Sequence, residues 1–222
     1  MKIRIQFEKL GTVRFTSHKD VVRIFERAFA AAGLPVAWSE GFHPHMRMSF
    51  GPPLRTGWES REEYMDITMD SAVDDFAARV NEKLPEGLQV TRVVAIDDRT
   101  PKLASDMSAV SMDVFVASED AAEDASAVSS RIASRFLNTN QAETEPRVRQ
   151  ADVVRSEDAI RIRYTSTMQN GRIVTPEDVV SAAIGDPESF RVPIKVVRLA
   201  QYVARGDRLV SPLDEGVVQA IV

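Results

Sequence analysis

The chain contains no cysteine. That excludes disulfides, thiolate nucleophiles and any iron–sulfur cluster held by the chain's own thiolates. Long hydrophobic runs are missing too: no stretch approaches the ~18 apolar residues that a membrane span requires. Met1-Lys2-Ile3-Arg4-Ile5-Gln6-Phe7 alternates from the start and has no apolar h-region, so no signal peptide is expected. There is no glycine-rich phosphate loop of the P-loop or dinucleotide type, and no nucleophile elbow. Histidine is scarce, with three in the whole chain. Together these absences point away from redox, nucleotide-hydrolysing and membrane functions, and toward a protein of the reducing cytoplasm with no membrane partner.

What remains is the composition of a globular chain of one or two domains, with 222 residues, 44% hydrophobic and 27% charged. The net charge of −5 conceals an asymmetry. Residues 1–61 carry ten Lys/Arg against five Asp/Glu, about +5, which leaves about −10 for the remainder. A basic first third inside an acidic protein is the footprint of a surface for anions. The acidic remainder argues against a large nucleic-acid footprint there, and no DNA partner is expected.

Periodicity gives two halves of the same pattern. In the first, Ile3–Phe7 and Val13–Phe15 alternate as strand, 18–32 has helical spacing, and Leu34–Ser39 reads as a short strand. A Gly/Pro-rich segment 40–62 comes next, then an alternating run Tyr64–Met69, a helix ending at Pro85-Glu86-Gly87, and a strand Leu88–Ile96. In the second half Val110–Val116 reads as strand and Ala121–Leu137 as helix. Val148–Val154 with Ile160–Tyr164 reads as a hairpin, Thr175-Pro176-Glu177-Asp178 as a helix start, and Ile194–Tyr202 as the last strand. The order β-α-β-β-α-β, twice, predicts an α+β protein of two tandem ferredoxin-like domains with antiparallel sheets, at 1–100 and 106–222. The first is expected to carry the site, and the second to act as scaffold or docking surface.

The histidines lie in two punctuated segments, Phe15-Thr16-Ser17-His18-Lys19-Asp20 and Ser39-Glu40-Gly41-Phe42-His43-Pro44-His45-Met46-Arg47. Ser17 and Asp20 have capping-box spacing, which puts His18 at the first position of the helix. With parallel first and second strands, both segments leave the same edge of the sheet. His18, His43, His45 and Arg47 are therefore expected to meet, with Lys19, Arg23 and Arg55 nearby as further anion-binding residues. Neutral imidazoles of His18, His43 and His45 could bind a divalent metal. Alternatively, His18 could serve as a general base beside an anion-stabilising arginine. A third use is simple grip on a phosphate or carboxylate. Trp38 and Phe42 are expected to pack under the loop as core, and Lys19, Arg23 and Arg27 to form a solvated stripe on the helix.

Phe15-Thr16-Ser17-His18-Lys19-Asp20, Arg23, Glu40-Gly41-Phe42-His43-Pro44-His45, Arg47, Ser49-Phe50-Gly51-Pro52-Pro53-Leu54, Gly57 and Glu63-Tyr64-Met65-Asp66 resemble the signature of the DUF2344 family, the radical-SAM-linked uncharacterised proteins. The match is strongest over residues 1–96. Lys19 stands where the family tends to have an apolar residue, and Met46 where a second proline is common. The resemblance implies work beside a radical SAM protein, on RNA or a ribosomal component. Lacking cysteine, this chain would be the partner that presents the substrate. The leading expectation is thus an accessory binding protein without independent catalysis, holding RNA or another anion at His18, His45 and Arg47. The alternatives are an endoribonuclease like those that process CRISPR repeats, with His18 as base, and a metal-binding protein using the three histidines.

Overall fold

A computed structural model describes residues 1–117, 124–137, 145–157, 159–184, 195–214 and 217–220. Along the chain the elements are β1 (Lys2–Lys9), a 3-10 turn (Gly11–Phe15), α1 (His18–Ala31), β2 (Met48–Phe50), β3 (Glu59–Thr68), α2 (Phe76–Asn81), β4 (Leu88–Ile96) and α3 (Leu103–Asp106). After these come β5 (Met107–Ala117), α4 (Ala125–Ile132), β6 (Val148–Arg155), β7 (Ala159–Thr167), α5 (Pro176–Ile184), β8 (Lys195–Arg205), β9 (Arg208–Val210) and β10 (Val217–Ala220). The fold is mixed α+β, and the strand pairs are antiparallel. No helix of the described residues is long and apolar enough to cross a membrane.

The chain forms two compact units, Met1–Met107 with Val203–Val222, and Ser108–Tyr202. In the first the strands run β10-β4-β1-β3, with β2 on the far side of β3. One face of β1 presents Ile3, Ile5 and Phe7 to α1, whose Val21, Phe25, Ala28 and Phe29 are buried against it. Phe76 and Val80 of α2 complete this core. Phe7, Phe25, Phe29 and Phe76 form a chain of ring contacts with centroids 4.8–5.9 Å apart. In the second unit the order is β8-β5-β7-β6. Val110, Met112 and Val114 of β5, Ile162 and Tyr164 of β7, Val128 and Ile132 of α4, and Val179 and Val180 of α5 are buried there.

The opposite face of β1 is polar and equally buried. Arg4 is wholly enclosed and binds Asp66 through two bonds of 2.7 and 3.0 Å. Its remaining donors reach the carbonyls of Pro212 (3.0 Å) and Pro101 (3.2 Å). Beside this pair, Gln6 donates to the Tyr64 hydroxyl, which donates to Glu62. The returning segment after residue 203 therefore completes the first unit: β10 pairs with β4, and Pro212 accepts from Arg4. This corrects the expected boundary of 106–222, because the last twenty residues belong with the first unit.

Other local expectations also shift. Leu34–Ser39 makes only single bridges, Val36 with Met69 and Trp38 with Met46, and the second strand is Met48–Phe50 instead. Pro35 has no N–H to extend a ladder there. Val13–Phe15 is the 3-10 turn and not a strand. The helix around residue 128 spans Ala125–Ile132 and runs into a π-type turn at Ala133–Leu137; the expected start at 121 and the helix end at Gly185 lie outside the described residues.

Candidate anion-binding site

The site is positioned by the stretch of chain between β1 and α1. Leu10 N–H donates to the carbonyl of Gly87, and a side chain at Gly87 would come within 2.3 Å of the Leu10 oxygen. Gly87 thus lets two backbones meet and fixes where the 3-10 turn begins. Lys9 then ties that turn down. Its Nζ donates to the carbonyls of Thr16 (2.8 Å) and Arg14 (3.4 Å) while the side chain lies almost fully buried. Desolvation holds the Lys9 pKa below the ordinary lysine value, against the opposing attraction of Glu63.

The helix start is as its sequence spacing predicts. Asp20 N–H donates to Ser17 Oγ (3.2 Å), and Ser17 N–H donates to Asp20 Oδ2 (3.1 Å), closing a capping box. The Ser17 hydroxyl also donates to Asp20 (2.7 Å), and these bonds hold the Asp20 pKa below the usual carboxylate range. His18 is the first helical residue and is exposed. Its ring stands edge-on to Phe50 at 5.2 Å, and neither nitrogen has a hydrogen-bond partner among the described residues. Both are open to a ligand.

Beside His18 lies a small cleft lined by Phe7, Lys9, Val21, Phe50, Leu54 and Glu63 among others. Around it stand two pairs of cation and ring. The Arg14 guanidinium lies 4.7 Å from the centre of Phe15, which is 63% exposed. Arg55 lies 5.7 Å from Trp58. One bond, Gly57 N–H to the Arg14 carbonyl at 2.8 Å, joins the two pairs. Arg14 is further held by Glu59 at 3.1 Å, so its ring-facing pose is braced from below. Lys19, Arg23 and Arg27 continue along the exposed face of α1, as expected. Arg23 approaches Asp20 only to 3.9 Å, a weak exposed pair.

No contact or shared pocket among the described residues joins His43 or His45 to His18. Segment 39–47 precedes β2 rather than coming after it, so it lies beyond the C-terminal end of α1, while His18 opens that helix. Register agrees: Phe50 pairs opposite Met65, whereas the carbonyl of Arg47 accepts from Thr68, at the far end of β3. His43, His45 and Arg47 are exposed on that loop, and His45 bonds Ser39. Among the described residues no three His, Cys, Asp or Glu side chains are placed to hold a metal ion.

Two contributors are not apparent from sequence patterning. Lys9 shares a strand face with Ile3, Ile5 and Phe7, and a lysine at the end of an apolar alternation is the signal that marks it. Phe15 reads as a strand residue, and only the 3-10 turn exposes it.

A family model described as an uncharacterized protein conserved in bacteria (DUF2344) matches residues 2–180. No curated protein matches the chain. Among solved structures, a crystal structure of an unknown protein from Galdieria sulphuraria is similar at 12% identity, covering 85% of this chain and 92% of that one, with a TM-score of 0.25.

Proposed function

The chain belongs to the DUF2344 family, and from that premise we propose that it is a non-catalytic binding module that holds single-stranded RNA for a radical SAM partner. Two ferredoxin-like units form its frame in this reading, supported by strand orders β4-β1-β3-β2 and β8-β5-β7-β6, each with its two helices in the crossovers. The RNA lies across Phe15, His18, Lys19, Arg23, Arg55 and Trp58. The observation that carries this is the pair of cation–ring contacts, Arg14 on Phe15 and Arg55 on Trp58, set side by side at the head of the α1 cationic stripe. The exposed Phe15 ring and the half-buried Trp58 ring offer bases a stacking face and the cations track the backbone, a combination that tolerates any sequence. His18 adds an imidazole whose nitrogens are free to meet phosphate or a base edge.

The absence of cysteine fits a presenter of substrate to a cluster-bearing enzyme, the role that the family resemblance implies. A catalytic role for His18 would need a third group orienting its ring, and among the described residues its ring contact is Phe50. The test is to incubate wild type and His18→Ala with a structured RNA carrying single-stranded flanks, monitoring both binding and cleavage. Binding that weakens in the variant, with no cut in either protein, is expected. A His18-dependent cut replaces this reading with that of an endoribonuclease.

A further inference from the structure

Phe42 is the most exposed large apolar side chain among the described residues, with its whole surface in water, and Trp38 is 57% exposed. The sequence leads one to expect both rings under the loop; instead they stand on its outside. A fully wetted phenyl ring beside a half-exposed indole on an ordered loop is what an interface anchor looks like before its partner arrives.

The loop is rigid enough to present them. Ser39 N–H donates to the His45 carbonyl (2.8 Å), His45 N–H donates to Ser39 Oγ (3.0 Å), and that hydroxyl meets His45 Nδ1 at 2.9 Å. Below this closure Trp38 bridges Met46, whose side chain is buried. Arg47 N–H donates to Ala37, and Ala37 N–H to Thr68, so both limbs are joined to the sheet edge. Gly41, at φ 119° with open space around it, turns the chain just before Phe42. Little ordering entropy remains to be lost when such a tip is covered.

Charge selects the occupant. Glu40 and Arg47 are both exposed, one on each limb, and neither has an ion-pair partner among the described residues. The loop is close to neutral overall, which is the wrong footprint for a nucleic acid, whose binding depends on an excess of cations. It is instead self-complementary. The loop carries one exposed side chain of each sign, so a second copy related by a two-fold axis offers an opposite charge to each of them. We propose that this loop is a homodimer contact: two copies of the chain associate through Phe42 and Trp38, flanked by two symmetric Glu40–Arg47 pairs. The site is separate from the RNA surface around Phe15 and does not depend on that reading.

Area sets the strength. Four aromatic side chains contribute roughly 600–1,000 Å² at about 150–250 Å² each. That lies below the ~1,200 Å² at which stable interfaces begin, so the dimer is weak and concentration-dependent. Sedimentation velocity from about 1 µM to several hundred µM therefore covers the transition. The wild type is expected to pass from monomer to dimer over that range. Phe42→Ser should leave it monomeric throughout, with unchanged circular dichroism. Glu40→Arg should weaken association about tenfold by setting like charges against each other at two places, and Glu40→Arg with Arg47→Glu should restore it. A wild type that stays monomeric, a Phe42→Ser protein that still dimerises, or a double swap that fails to recover association each overturns the proposal. RNA titrations on the same proteins separate the two readings. Phe42→Ser should keep wild-type RNA affinity, and a loss there without a change in association state would make the loop an RNA contact and overturn the dimer.

Discussion

Lys9 and Asp20 are the residues whose protonation couples folding to pH around the site. The Lys9 ammonium is buried, and desolvation lowers its pKa in the folded protein relative to the ordinary 10.5. Between the lowered value and 10.5 the unfolded chain binds more protons than the folded one, so stability rises with pH across that window. Tyr64 and Tyr164 work the other way above pH 10, because burial raises their pKa values and the unfolded chain ionises first. The test is thus a difference: urea midpoints of wild type and Lys9→Met between about pH 7 and 10, with the wild type gaining on the variant as pH rises. A constant difference would mean that Lys9 carries no burial cost. Asp20 has the opposite sign. Its pKa is lowered mainly by the Ser17 hydroxyl, so its contribution is present above the ordinary 3.8 and lost as pH falls through the folded value. Ser17→Ala should return the Asp20 carboxyl toward its usual pKa in an NMR titration; an unmoved carboxyl would deny the capping contact.

At the scale of elements, β1 shows what a local pattern can and cannot reveal. Its alternation places Ile3, Ile5 and Phe7 toward α1, and the structure agrees. The burial of Arg4 on the opposite face does not follow from that alternation, since the groups covering Arg4 come from residues 101 and 212. No window around residue 4 contains them. The first turn of α1 is fully legible because its capping box is local. The position of the histidine loop is not, because it turns on whether residues 34–39 or 48–50 pair with β3, and long-range pairing decides that. The buried ion pair makes its own prediction. Asp66→Ala leaves the Arg4 guanidinium enclosed with its carboxylate partner gone, which should cost about 3–5 kcal/mol in urea unfolding. Arg4→Met with Asp66→Leu should recover most of that loss. A single variant as stable as the wild type would show that the pair is not enclosed in solution.

At the scale of the molecule, the first unit is built from both ends of the chain. Deleting residues 203–222 removes the Pro212 carbonyl from Arg4 and β10 from the edge of β4. The first unit should then unfold at lower urea and be cut earlier by protease, whereas equal midpoints would make the returning segment dispensable. Of the cations in the basic first third, Arg14 and Arg55 stand on the rings of Phe15 and Trp58, and Lys19, Arg23 and Arg27 run along the exposed face of α1. In the proposed function, this surface holds single-stranded RNA by charge and stacking together. Its most direct measurement is fluorescence anisotropy of a short labelled single-stranded RNA, titrated with wild type and Phe15→Ala over a range of salt. The expected result is an affinity that falls steeply with salt in both proteins, with a parallel slope, and a loss of about 1–3 kcal/mol for Phe15→Ala at every salt concentration. An affinity insensitive to salt, or a Phe15→Ala protein that binds as well as the wild type, would contradict it.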